Sequence, residues 1–307
     1  MTRPKRLAGA WPLLVASMLW GTTGTVASFL QGNVSPLAVG AATMMFGGIL
    51  LFAISARTAI AALQDAASRR WLVVGAIGVV MYPLAFYSSM SLAGVAIGNV
   101  VSLGSGPVFA ALLEWAFERR RPSRVWVACT TTALTGIAML AWGSDRSGGA
   151  LSGQSSGDTM AGIGLGLLAG VAYALYTSCS SRAIRVGAAS GAAMGGMFGL
   201  GAVALAPLLL ALGGPLLQSA TTVGIAAYLA LGPMFTAYIL FGIAMRTLHS
   251  STATSITLLE PFVATLLAVL VVGERLLAVG WLGLAVVLVS VLALATARQQ
   301  RSSLESP

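Results

Sequence analysis

The chain has 307 residues, of which 17 are Lys or Arg and 8 are Asp or Glu, giving a formal net charge of +9. Charged residues make up 8% and apolar types 57%, where a soluble domain carries roughly 25% charge. That leaves too little polar surface for a water-soluble globule and excludes a soluble enzyme or a nucleic-acid-binding domain.

Apolar runs long enough to span a bilayer, at about 20 residues each, fall at 11–31, 36–57, 71–91, 95–117, 124–143, 160–181, 190–212, 222–246, 251–272 and 276–296. They are too long and continuous for the alternating strands of a β-barrel. The pattern predicts an all-α membrane protein of ten transmembrane helices. Arg3, Lys5 and Arg6 precede the first run as in a signal peptide. The run is longer than a usual signal core, so it is read as a span. Cys129 and Cys179 lie in apolar stretches and read as small membrane-buried residues.

Charge placement sets the orientation, because Lys and Arg collect in cytoplasmic loops. Alternate loops receive 15 and 2 of the 17 basic residues, the pair being Arg146 and Arg275. Both termini are therefore expected in the cytoplasm. The basic residues sit between spans rather than on one face, so the +9 speaks of topology and no nucleic-acid partner is implied.

The chain also repeats. Placing Pro107 on Pro261 sets an offset of 154 residues, at which Ala96 meets Ser250, Ala110 meets Ala264 and Tyr87 meets Phe241. Glu118-Arg119 in one half answers Glu274-Arg275 in the other after a small insertion. This divides the chain into a first five-helix repeat at 1–143, a Ser/Gly-rich flexible outside linker at 144–159, a second repeat at 160–301 and a tail at 302–307. Two copies of an odd-numbered unit must lie inverted in the membrane, as in many secondary transporters.

Leu19-Trp20-Gly21-Thr22 in the first helix, and Leu259-Glu260-Pro261 with Gly273-Glu274-Arg275-Leu276 around the ninth, resemble the EamA-type pattern of the drug/metabolite transporter superfamily. Within it the chain looks most like the YddG-type amino-acid exporters of bacterial inner membranes. The first half departs from the pattern, with Gly106-Pro107 where the second has Glu260-Pro261. The resemblance implies ten helices around a central cavity between the halves. It also implies export of amino acids or similar small metabolites by alternating access, with a monomer sufficient.

Polar and aromatic residues at mid-membrane depth are costly and informative. Trp11, Trp71, Trp115, Trp126, Trp142 and Trp281 lie near span ends, as interfacial anchors do. Trp20 lies mid-helix and suits core packing or a cavity wall. Tyr82, Tyr173, Tyr176 and Tyr238 are also mid-span and suit cavity lining or helix–helix hydrogen bonding. Tyr87 and Tyr228 lie nearer the ends and read as belt residues. Asn99, Ser102 and Gly106 share one face of the fourth helix. Asn99 both donates and accepts, which suits a zwitterion or an interhelical bond equally.

Pro83, Pro107, Pro233 and Pro261 occupy helices 3, 4, 8 and 9, which the repeat pairs. They break helical hydrogen bonds and mark hinges or a transport site. Glu260 lies roughly 14 Å into its span at about 1.5 Å per residue. It serves either proton coupling or the broken backbone beside Pro261. Glu114 is expected to snorkel toward Arg119 or Arg121, and His249 to lie solvated in a loop. The sequence offers no metal-ligand cluster, no Walker-type loop and no credible serine–histidine pair. No cofactor, metal or catalytic set is implied, and an enzyme is disfavoured. Three transport readings stay open: a secondary exporter of amino acids and related small metabolites, an uncoupled, channel-like facilitator of small neutral solutes, and a drug effluxer.

Overall fold

A computed structural model describes residues 4–30, 32, 34–118, 124–145, 156–244, 256–257 and 259–304. Each apolar run corresponds to a helix: α1 (Pro4–Ser28), α2 (Pro36–Gln64), α3 (Ala66–Ala93), α4 (Val95–Glu118), α5 (Arg124–Asp145), α6 (Ser156–Arg185), α7 (Ser190–Leu212), α8 (Ala220–Ala244), α9 (Leu259–Val272) and α10 (Ala278–Leu304). Among the described residues α2, α3, α4, α6, α7 and α8 are long and apolar enough to cross a membrane, and α5, α9 and α10 supply shorter apolar stretches. The start of the ninth span at 251, and His249, lie outside the described residues, as do the side chains of Glu114 and Trp126.

Helix pairing carries the inverted repeat. Replacing each helix by its counterpart five places on turns the pair α3–α6 into α8–α1, and α4–α6 into α9–α1. It returns α2–α7 and α5–α10 to themselves. All six pairs are packed in the structure. In a membrane such packing depends on backbones approaching closely at small residues. A Cβ on Gly283 of α10 would lie 2.6 Å from the Gly136 carbonyl oxygen of α5. One on Gly48 of α2 would lie 2.7 Å from the Phe198 carbonyl of α7, and one on Gly78 of α3 would lie 2.6 Å from the Ala172 carbonyl of α6. Ser89 Oγ adds a 2.7 Å donor bond to the Gly162 carbonyl across α3–α6.

Two connections in the first half are single residues. Asp65 joins α2 to α3, donating its N–H to the Ala61 carbonyl and accepting from Ser68 N–H (2.9 Å) and Ser68 Oγ (2.8 Å). Gly94 joins α3 to α4 at φ +89°, in the left-handed region that glycine enters freely.

The prolines act unequally. Pro83 and Pro107 sit inside continuous α-helix. Around Pro233 the α8 backbone widens into a π-helical segment, Ala230–Thr236. Pro233 donates no hydrogen bond, and the helix closes around it with Ala237 N–H reaching Gly232 and Thr236 Oγ1 donating to Leu231 at 2.7 Å. A second π segment, Ala268–Val272, ends α9 ahead of Gly273 at φ +83°. Hydropathy gives no hint of either segment.

Candidate functional site

The Trp20-Gly21-Thr22 motif of α1 points three ways, as residues about 100° apart on a helix must. Trp20 donates its Nε1–H to the Pro233 carbonyl in α8 at 2.8 Å. Gly21 lies against α9, where a Cβ would stand 2.7 Å from Val263 and 3.1 Å from the Glu260 carbonyl oxygen. The Thr22 hydroxyl shares a 2.7 Å hydrogen bond with the Tyr228 hydroxyl of α8. One motif thus pins α1 to α8 and α9 and aims an indole at the interior.

From that indole a continuous set of aromatic rings crosses five helices. Trp20 meets Tyr238 edge-on, with centroids 5.4 Å apart, and Phe241 at 5.9 Å. Tyr238 meets Phe198 at 5.5 Å, Phe198 meets Tyr176 at 5.8 Å, and Tyr176 meets Tyr173 at 5.3 Å and Tyr82 at 6.0 Å. Tyr82 also meets Tyr173 at 5.9 Å and stacks on Phe86 at 5.3 Å. The Tyr176 and Tyr238 hydroxyls share a 3.3 Å hydrogen bond. Offset and edge-to-face pairs at these distances are the favourable arrangements for aromatic quadrupoles.

Glu260, in the first described turn of α9, belongs to the same group. Its carboxyl is within electrostatic reach of the Tyr82, Tyr173 and Tyr238 phenols. Trp20, Tyr82, Tyr173, Tyr238 and Glu260 each keep part of their surface open, whereas Tyr176 is buried.

The sequence-derived residues divide accordingly. Trp20, Tyr82, Tyr173, Tyr176 and Tyr238 come together, and Glu260 meets α1 through its backbone carbonyl beside Gly21. Gly106 lies beneath Tyr173, whose Cδ1 is 3.0 Å from where a Cβ would stand. Pro233 joins through its carbonyl, whereas the Pro261 carbonyl accepts a 2.8 Å bond from Thr265 Oγ1 one turn on in its own helix. The Pro83 carbonyl packs against Gly40 of α2. Asn99 and Ser102 are fully buried in α4, and neither the amide nor the hydroxyl has a hydrogen-bond partner among the described residues. Among the described residues no group of three or more His, Cys, Asp or Glu is placed to hold a metal.

The belt reading of Tyr87 is corrected. Its ring is 5% exposed, packed edge-on against Phe86, with its hydroxyl donating to Thr43 Oγ1 at 3.4 Å. Trp11, Trp115, Trp142 and Trp281 present the open surface expected of anchors, while Trp71 is flanked by the Arg70 and Arg182 guanidinium groups at 5.0 and 4.9 Å. Phe86, Phe198 and Phe241 complete the aromatic set and escape sequence reasoning. A phenylalanine in a lipid-facing span and one in an interior cluster look alike.

The model of the EamA-like transporter family matches residues 7–142 and again 160–296, once in each half. The chain belongs to the EamA-like transporter family. A relative from Bacillus subtilis (strain 168), described as the uncharacterized transporter YwfM, is 30% identical over 298 residues, 96% of each chain. A solved crystal structure superposes with a TM-score of 0.60 at 21% identity, covering 95% of this chain and 98% of that one, and so shares the fold. For a member of this family, a membrane transporter, the aromatic cluster at the junction of the two repeats is a candidate for contact with substrate.

Proposed function

We propose that this protein is a secondary transporter exporting neutral amino acids, aromatic ones among them, and related small metabolites across a bacterial inner membrane by alternating access. The observation that carries the reading is the aromatic group of Trp20, Tyr82, Tyr173 and Tyr238, drawn from helices of both inverted halves. Ring faces suit an apolar side chain, and phenols with one carboxylate suit a polar head. The YddG-type likeness of the sequence and the transporter family agree with it.

The scarcity of charge at this depth favours a second reading, an uncoupled facilitator of small neutral solutes. A drug effluxer is the third. An uptake screen in proteoliposomes over amino acids, nucleosides and drugs, with and without an imposed pH gradient, separates them. Export of amino acids driven by the gradient supports the first reading, and downhill uptake indifferent to the gradient supports the second. Uptake confined to drugs supports the third. The proposed orientation, with both termini cytoplasmic, fails if a cysteine introduced at Thr2 is labelled from outside by an impermeant reagent.

A further inference from the structure

Arginine crowds the end of the bundle where α3 begins and α6 stops, with Arg69 and Arg70 on α3 and Arg182 and Arg185 on α6. The two helices pack antiparallel, Gly75 facing Cys179 near this end and Ser89 bonding Gly162 near the other. That register brings the four to one level. The nearby Asp65 carboxylate is taken up by the Ser68 N–H and hydroxyl. One indole carries two of the charges. The Arg70 guanidinium lies 5.0 Å and the Arg182 guanidinium 4.9 Å from the centroid of the Trp71 ring. Cation–π attraction draws each to the ring, while the two cations repel one another. An anion that bridges them offsets that repulsion, and the planar forks of arginine match the oxygens of a phosphate. Depth identifies which phosphate. A tryptophan at a span end sits at the level of the lipid headgroups, and Trp71 opens the apolar run of α3. Further into the membrane, the face of α3 that bears Arg70 continues as Val74 and Ile77, at i+4 and i+7, which are 39% and 53% exposed.

We propose that Arg70, Trp71 and Arg182 form a binding site for the phosphate headgroup of an anionic phospholipid, whose acyl chain lies along Val74 and Ile77. A soluble phosphate would satisfy the guanidinium groups equally well. The open apolar face below Arg70 gives a lipid the additional contact that a soluble anion lacks. Basic side chains at the membrane surface attract anionic lipids in any case. What this site adds is a fixed pair of cations, held on one ring at the junction of two helices.

The test uses the purified full-length protein in a nonionic detergent and two lipids with the same acyl chains, dimyristoylphosphatidylglycerol and dimyristoylphosphatidylcholine. Native mass spectrometry reads the lipid bound at each concentration. The anionic lipid is expected to bind at least about tenfold more tightly than the zwitterionic one. Arg70→Ala and Arg182→Ala, made singly, are each expected to lower its affinity about fivefold. Arg275→Ala is expected to leave it unchanged. That residue follows Glu274, whose carboxylate meets the start of α4 at the opposite end of the bundle. Equal affinity for the two lipids, binding of neither, full affinity in either α3–α6 variant, or an equal loss in Arg275→Ala would overturn the proposal. Should an alanine variant fail to fold, glutamine at the same position replaces it and is read in the same way. Inorganic phosphate at the concentration of the lipid distinguishes the two sources of the anion. Lipid that stays bound supports the proposal, and lipid that is displaced shows a site for soluble phosphate and overturns it.

Discussion

Glu274 accepts the backbone N–H of Ala96 at 3.0 Å, bridging residues 178 positions apart and joining the second half of the chain to the first. Its other carboxylate oxygen accepts the N–H of Val95. The first backbone donors of a helix lack partners within it, and the dipole favours negative charge there. Glu274 therefore caps α4 from another part of the chain. Gly94 makes room for it, since a Cβ there would stand 3.0 Å from Glu274 Oε1.

Removing that cap should loosen the junction of the halves. Glu274→Ala is expected to cost about 1–3 kcal/mol of stability. Glu274→Gln, which keeps one acceptor oxygen and loses the charge, is expected to cost less. Thermal unfolding in a fixed detergent gives the comparison, and identical midpoints for Ala and wild type would show the cap to be idle.

Close packing makes a second expectation, with an internal control. Gly283→Ala sets a methyl group 2.6 Å from the Gly136 carbonyl and 2.8 Å from the Leu140 nitrogen, both backbone atoms that cannot turn aside. It should destabilise by at least about 1–3 kcal/mol. Gly164→Ala meets nothing within 4 Å and should gain about 0.5 kcal/mol through restriction of the unfolded chain. The two unfolding midpoints should move in opposite directions.

Acid should weaken the start of α3. The Ser68 hydroxyl and N–H hold the Asp65 carboxyl below the ordinary aspartate value of 3.8. A depressed folded value means that the contribution is complete above the unfolded value and is lost as pH falls through the folded one. Asp65→Asn should therefore lower the unfolding temperature at neutral pH, and the gap from wild type should narrow as the medium is acidified below about pH 4. A gap that stays constant with pH would dissociate the cap from ionisation.

Trp20→Phe isolates a single hydrogen bond. The ring contacts with Tyr238 and Phe241 are retained in kind, while the donor to the Pro233 carbonyl is removed. We expect a loss of about 1 kcal/mol and slower uptake in proteoliposomes. Trp20→Ala, which also removes the ring, should abolish uptake.

How far the sequence could be read depended on which interactions are local. Hydropathy marks the spans because lipid demands long apolar runs, and mid-span phenols mark the cluster because each is conspicuous there. Glu274 stood out only as a motif. Its partners lie in another helix nearly 180 positions away, at Val95 and Ala96, and backbone donors leave no trace in residue type. Tyr87 misled for a similar reason. Its distance from the span end resembles that of an anchor, and only the packing of α2 on α3 reveals Thr43 opposite its hydroxyl. The burial of Asn99 and Ser102 without a partner among the described residues is likewise a property of packing.

The π segment at Ala230–Thr236 carries one residue more than an α-helical turn would hold, and that surplus sets the phase of everything beyond it. Were the segment to relax to α-helical spacing, Tyr238 would swing about 100° around the helix axis and shift by about 1.5 Å. That is enough to carry its hydroxyl away from Tyr176 and its ring away from Trp20. The aromatic cluster is therefore geared to a local winding number, and deleting one residue between Ala230 and Thr236 should dismantle it while leaving the remaining helices in place.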